Sequence, residues 1–233
     1  MSTIKYIRQP IWAELIKHVK FLRRQRKHAK NNKKRLSINW SIIISLACYI
    51  EGKVEYDLKG LISHRIGILG KIKIKDFYQR RSHNIFIHRI EDYLMSQTGR
   101  NTGVDNLDSI IYLLSWKNVP RKLTKFHNWE GVSILFQFRN VLAHGREISA
   151  SKIIAPWLEK GFRDDFKGGY KKTEDYLCKK GITNRRVIKN NSTNHFFTNK
   201  VADHFYSITN KFVKYYTEII KEEKNKFDIL DIR

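Results

Sequence analysis

The clearest helical pattern in the sequence is FTNKVADHFYSITNKFVKYYTEI, residues 197–219. Its apolar side chains recur every three or four residues, at Phe197, Val201, Phe205, Ile208, Phe212, Tyr215 and Ile219. This spacing places them along one side of an α-helix, where they face a core built with other helices. A long helix with one apolar seam is typical of a helical bundle.

Similar spacing predicts four more bundle helices. One begins at Ser37 as its N-cap, and the others cover residues 83–97, 105–116 and 128–144. Residues 146–193 contain several glycines and lysines with only short apolar groups, which predicts an irregular insertion before the last helix. We therefore expect an all-α bundle of four to five helices over residues 37–233, preceded by a basic N-terminal arm over residues 1–36.

The charge of the chain points to a polyanionic partner. The sequence has 46 Lys and Arg against 22 Asp and Glu, a formal net charge of +24. Such an excess opposes compaction unless a polyanion screens it, so nucleic acid or an anionic membrane surface is the expected partner class. Residues 1–36 alone carry 12 basic residues and one acid, Glu14.

The arm is predicted to be a basic amphipathic helix over residues 10–28, followed by a polar run. Three interpretations are open: a phosphate-binding surface, a solvated helix docked on the core, or an anionic membrane contact. We favour RNA phosphates, because no nearby acids neutralise the cluster. The predicted RNA contacts are Lys20, Arg23, Arg24, Arg26, Lys27, Lys30, Lys33, Lys34 and Arg35.

Several classes of protein are excluded by what the sequence contains. The longest apolar run, residues 38–50, has 13 residues, whereas about 20 are needed to span a bilayer. Cys48 and Cys178 lack the spacing of a zinc site or a disulfide framework. We therefore expect no membrane span, no metal and no other cofactor, and a reducing cytoplasmic location.

The segment FQFRNVLAHGRE, residues 136–147, carries the most chemistry. On a helix, Arg139 falls in the middle of a stripe formed by Val132, Leu135, Phe136 and Ala143. A charged guanidinium group in such a stripe needs a partner or an interface. Asn140 and His144, four residues apart, share the adjacent face. Arg, Asn and His are therefore expected at one rim of the helix.

This segment resembles the HEPN superfamily, whose ribonucleases carry an Arg, four to six residues and then a His, often with Asn after the Arg and Gly after the His. The matching residues are Arg139, Asn140, His144 and Gly145. The resemblance covers the motif helix and, more loosely, the rest of the bundle. It implies an endoribonuclease that needs no metal, in which the ribose 2′-hydroxyl attacks the adjacent phosphate and leaves a 2′,3′-cyclic phosphate.

The residue types suit that reaction. Histidine, with an ordinary pKa of about 6.5, moves a proton near neutral pH. Arginine offers a planar, permanent cation to the crowded phosphate, and the asparagine amide can orient either group. Glu51 is the acid best placed in the first bundle helix to fix the guanidinium group of Arg139. The catalytic set is thus Arg139, Asn140 and His144, with Glu51 as a positioning residue.

A homodimer with a composite active site is expected, because a two-fold axis would bring Arg139 and His144 of both chains together. The family resemblance implies a toxin or an abortive-infection effector in bacterial antiviral defence. Two alternatives remain. The chain is a non-catalytic nucleic-acid binder, or it is a regulatory subunit that partners an antitoxin or another defence protein.

Overall fold

The computed structural model describes residues 10–70, 88–89, 125–143, 150–153, 163–166, 169–183 and 196–230. The helices with defined bounds are α1 (Ile11–His28), α2 (Asn32–Gly70), α3 (Trp129–Ala143), α4 (Gly169–Lys179) and α5 (Asn199–Leu230). His88 and Arg89 are also helical. The prediction of an all-α helical bundle is confirmed. The predicted helices over residues 83–97 and 105–116 otherwise lie outside the described residues.

α2 begins earlier than the sequence pattern predicts. The side chain of Asn31 accepts a hydrogen bond from the backbone N–H of Lys34 at 2.7 Å, as an N-cap does. Helix-favouring lysine and arginine residues then continue into the apolar stripe, so Ser37 lies inside the helix and is not its cap. The predicted boundary between arm and bundle at residues 36 and 37 therefore falls within α2.

The chain forms two compact units. One, here called the motif unit, comprises Ala13–Tyr49 and Asn128–Lys211. Its core is largely aromatic: the fully buried ring of Phe138 on α3 lies 5.6 Å from Phe196, 5.7 Å from Phe197 and 6.3 Å from Phe205, between ring centroids. Tyr170 of α4 meets the same ring edge-on at 6.0 Å. The seam predicted in residues 197–219 thus contributes directly to this core.

The second unit comprises Met1–Trp12, Ile50–His127 and Phe212–Arg233. Here the fully buried ring of Tyr216 on α5 donates its hydroxyl to the backbone oxygen of Val54 on α2 at 3.3 Å. Phe212 packs edge-on against Phe126 with ring centroids 5.6 Å apart. Among the described helices, no stretch is long and apolar enough to cross a bilayer.

The segment predicted as an irregular insertion contains regular structure. Strands β1 (Ala150–Ile153) and β2 (Arg163–Phe166) pair antiparallel, with Ala150 opposite Phe166 and Ile153 opposite Arg163. α4 follows, and it packs against α3. The helix was missed because its buried residues, among them Tyr170, Thr173 and Leu177, are interleaved with lysines and acids.

α4 ends in a well-defined C-terminal motif. Gly181 has φ +68°, a left-handed conformation that glycine adopts without steric cost. Its N–H donates to the Cys178 carbonyl at 3.0 Å, and the N–H of Ile182 donates to the Leu177 carbonyl at 2.9 Å. These two bonds form a Schellman motif, which satisfies carbonyl groups that the helix end leaves free. The end of α4 is therefore held in place within the motif unit.

Candidate active site and basic surface

Two of the three candidate catalytic residues, Arg139 and Asn140, lie near the C-terminal end of α3. Val132, Leu135 and Phe136 are buried, as the stripe predicts. Arg139 is half-buried on the same helix, with its guanidinium carbon 6.0 Å from the centroid of the Phe136 ring. Asn140, the next residue, is exposed. The helix thus presents a cation at the edge of an apolar face with an amide beside it.

The other two members of the predicted set are less closely defined. His144 lies outside the described residues, one position beyond the end of α3. Glu51 is half-buried in α2 and belongs to the second unit, whereas Arg139 belongs to the motif unit. The roles of His144 and Glu51 stay predictions.

Arg26 does not have the role that the sequence predicted. Its side chain is only 8% exposed, and its Nη2 lies 2.8 Å from Oδ1 and 2.9 Å from Oδ2 of Asp203 on α5. Its Nη1 donates to Oδ1 of Asn39 on α2 at 3.1 Å. A guanidinium group held in this way by a carboxylate and an amide is not available to an RNA phosphate. The assignment of Arg26 as an RNA contact is therefore corrected: it joins α1 to α2 and α5.

Arg23 shares this structural role. Its Nε donates to Oδ1 of Asp203 at 3.2 Å, and its guanidinium carbon lies 4.0 Å from the centroid of the Tyr206 ring. Asn39 extends the network, because its Nδ2 donates to the Phe197 carbonyl at 2.6 Å. Residues 13–28 of the predicted arm are thus a helical part of the motif unit, fixed by polar contacts to residues far along the chain.

The remaining predicted RNA contacts lie in solvent. They form what we call the basic surface, which consists of the exposed residues Lys20, Arg24, Lys27, Lys30, Lys33, Lys34 and Arg35. Arg35 also donates its Nε to the Ala29 carbonyl at 2.9 Å, which steadies the turn between α1 and α2. This part of the chain has a single acid, Glu14, which pairs with Lys17 at 2.8 Å. The basic surface therefore keeps its positive charge.

A histidine that the sequence analysis did not single out lies in the motif unit. Nε2 of His204 on α5 shares a hydrogen bond of 2.9 Å with the hydroxyl of Tyr176 on α4. Burial lowers the pKa of His204 to about 4, and the positive charges of Lys180 and Lys211 act in the same direction. Burial, aided by the carboxylate of Glu130, raises the pKa of Tyr176 to about 12.

This pair links helices and does not supply an acid. At neutral pH the imidazole is uncharged, so it has no readily lost proton to give to a leaving group. Gly131 of α3 makes room for the pair: a β-carbon there would overlap the Tyr176 hydroxyl and lie 2.6 Å from Cδ1 of Ile208. A lone histidine in a helix has no sequence signal of its own, because its partner tyrosine is on a different helix.

We found no match between this chain and any family model, curated protein or solved structure. The motif that begins in α3 and the basic surface are therefore the two features that indicate a function.

Proposed function

We propose that this protein is a metal-independent endoribonuclease whose catalytic residues are Arg139, Asn140 and His144. The observation that carries the proposal is the position of Arg139, a half-buried cation on the buried side of α3 beside the exposed amide of Asn140. The guanidinium group is a planar, permanent cation, which suits the charge and shape of an RNA phosphate at the end of α3.

In the proposed reaction the ribose 2′-oxygen attacks the adjacent phosphorus, and the bond from phosphorus to the 5′-oxygen breaks. The products are a 2′,3′-cyclic phosphate and a free 5′-hydroxyl. His144 moves a proton between these oxygens, because an imidazole titrates near neutral pH. Arg139 stabilises the charge that builds on the phosphoryl oxygens, and Asn140 orients the phosphate.

The reaction needs one proton removed and one supplied, and a homodimer would provide a histidine for each. A two-fold interface at the end of α3 would place the motifs of both chains together in a composite active site. In the cell such an enzyme would act in the cytoplasm as a toxin or an antiviral effector, restrained by an antitoxin or another regulatory protein. These roles follow from the HEPN resemblance.

A second candidate function is non-catalytic RNA binding. The basic surface favours it, because seven exposed cations on α1, the turn that follows it and the start of α2 would attract RNA whether or not the motif cleaves. In that case the helical bundle would be a scaffold that presents the basic surface.

Substitution at the motif separates the two candidates. Arg139→Ala and His144→Ala are expected to lower RNA cleavage by at least 100-fold, since each removes a group that acts on the reacting phosphate, and to leave RNA affinity within about twofold. His127→Ala, which changes an exposed histidine outside the motif, is the matched control and should keep full cleavage. Wild-type protein that binds RNA without cutting it would support the non-catalytic alternative.

A further inference from the structure

The outer side of α1 carries a stripe of exposed basic and aromatic side chains. Lys17, Phe21, Arg24 and His28 follow one another at intervals of four, three and four residues and are all exposed. At 1.5 Å per residue the stripe is about 16 Å long. Lys20 and Lys27 of the basic surface flank it on the same helix. The stripe therefore combines several cations with one large aromatic ring.

Phe21 is the unusual member of this stripe. Its side chain is 53% exposed, and Lys17, Lys20 and Arg24 lie four, one and three residues away from it on the helix. The ring of His18, one turn earlier, lies beside it with centroids 6.4 Å apart and planes inclined by 26°. The exposed part of the Phe21 side chain adds nothing to the core, but it can receive another flat group.

We infer that the outer side of α1 binds single-stranded RNA, with an unpaired base stacked on Phe21 and the neighbouring phosphates held by Lys20, Arg24 and Lys27. The inference deepens the proposed function by naming the substrate as single-stranded. Single-strand-binding proteins combine aromatic rings with cations. The rings stack on the flat faces of the bases, and the cations bind the negatively charged phosphates of the backbone. In a duplex the base faces are hidden in the stack.

The structure argues against a membrane as the occupant. An amphipathic helix binds a bilayer by burying its apolar side among the lipid chains. In α1 the inner side packs against the rest of the motif unit, where Val19 is fully buried and Arg26 pairs with Asp203. Of the apolar side chains on the helix, Phe21 and Ile11 are the large ones left exposed. Two separate side chains make a poor membrane anchor.

The inference is tested by equilibrium binding of a fluorescent 12-nucleotide single strand with deoxyribose at every position. This probe has no 2′-hydroxyl, so binding is measured whether or not the protein cleaves RNA. Phe21→Ala and Phe21→Leu should each weaken binding by roughly 5- to 150-fold, the loss expected when one stacked base loses its ring. Phe21→Trp should retain or increase affinity. Ile11→Ala, at an apolar position that is 79% exposed on the same helix, is the control and should bind like wild type.

Salt dependence distinguishes stacking from charge. The Phe21 variants should leave the slope of log K against log salt unchanged, whereas Arg24→Gln and Lys20→Gln should each flatten it by about 0.7. Wild-type affinity in the Phe21→Ala variant, or an equal loss for a matched duplex, would overturn the inference. Tighter binding to vesicles containing anionic phosphatidylserine than to the oligonucleotide would also overturn it, in favour of a membrane. If the wild-type protein binds the single strand as expected but does not cleave RNA, the result would count against the proposed function and not against this inference.

Discussion

Nη2 of Arg26 lies 2.8 and 2.9 Å from the two carboxylate oxygens of Asp203, although the two residues are far apart in the sequence. This ion pair fixes α1 to α5, and the hydrogen bond from Arg26 to Asn39 adds α2. A basic helix that looks like a detachable arm in the sequence is thereby part of the folded core. The cations that hold α1 in place are thus different residues from the cations of the basic surface, which face solvent.

Asp203→Ala is expected to destabilise the protein by about 2 kcal/mol, because it leaves the buried guanidinium group of Arg26 without its carboxylate. The figure is below that for a fully buried pair, since the Asp203 side chain is 41% exposed. The free energy of unfolding in urea is the measurement. Lys17→Ala, which breaks the exposed pair with Glu14, is the control and should cost less than about 0.5 kcal/mol. Equal effects of the two substitutions would contradict the structural role of the Arg26 pair.

The stability of the protein is expected to fall between pH 6.5 and pH 4 partly because of His204. The pKa of His204 is about 4 in the folded protein, whereas it takes its ordinary value of about 6.5 in the unfolded chain. In that interval the unfolded chain binds a proton that the folded protein does not, so acid favours unfolding. Tyr176, Lys180 and Lys211 are the groups that act on the imidazole.

The check is urea unfolding at several pH values for wild type and His204→Gln. Stability is expected to decline less steeply with acid in the variant, because glutamine does not titrate. Parallel profiles would show that His204 makes no contribution of this kind. The comparison removes the effect of the other histidines, since both proteins contain them.

Local periodicity predicts much of this fold, because it reflects which side of a helix is buried. It identifies α1, α3, the core part of α2 and the seam of α5, and it places Val132 and Leu135 in the core. It fails for α4, where charged residues share a short helix with buried ones. It also fails for the start of α2, which a single asparagine side chain decides.

The residues of the basic cluster show a different limit of sequence reasoning. Arg24 and Arg26 are both arginines in α1, and the local sequence predicts the same role for both. The structure exposes Arg24 and buries Arg26, because α1 turns Arg26 toward Asp203. A partner so distant in sequence leaves no local signal. The same holds for the hydrogen bond between Tyr176 and His204, which depends on α4 and α5 meeting.

Mixed dimers test the composite active site. Wild-type and His144→Ala chains with different tags are co-expressed, and the mixed species is purified. If each active site uses a histidine from both chains, this dimer should lose far more than half of the wild-type activity at unchanged dimer mass. Half of the activity would mean that each chain works alone, and a monomer that cleaves RNA would exclude the composite site.

The proposed mechanism is tested by RNA cleavage in the presence of EDTA, with an all-RNA substrate and a matched substrate that carries one 2′-deoxy nucleotide at the cut position. The all-RNA substrate should be cut to a 2′,3′-cyclic phosphate and a 5′-hydroxyl. The single 2′-deoxy substitution should abolish that cut, because the 2′-oxygen is the attacking atom. Cleavage of the deoxy substrate at the same position, or cleavage that EDTA prevents, would contradict the proposed mechanism.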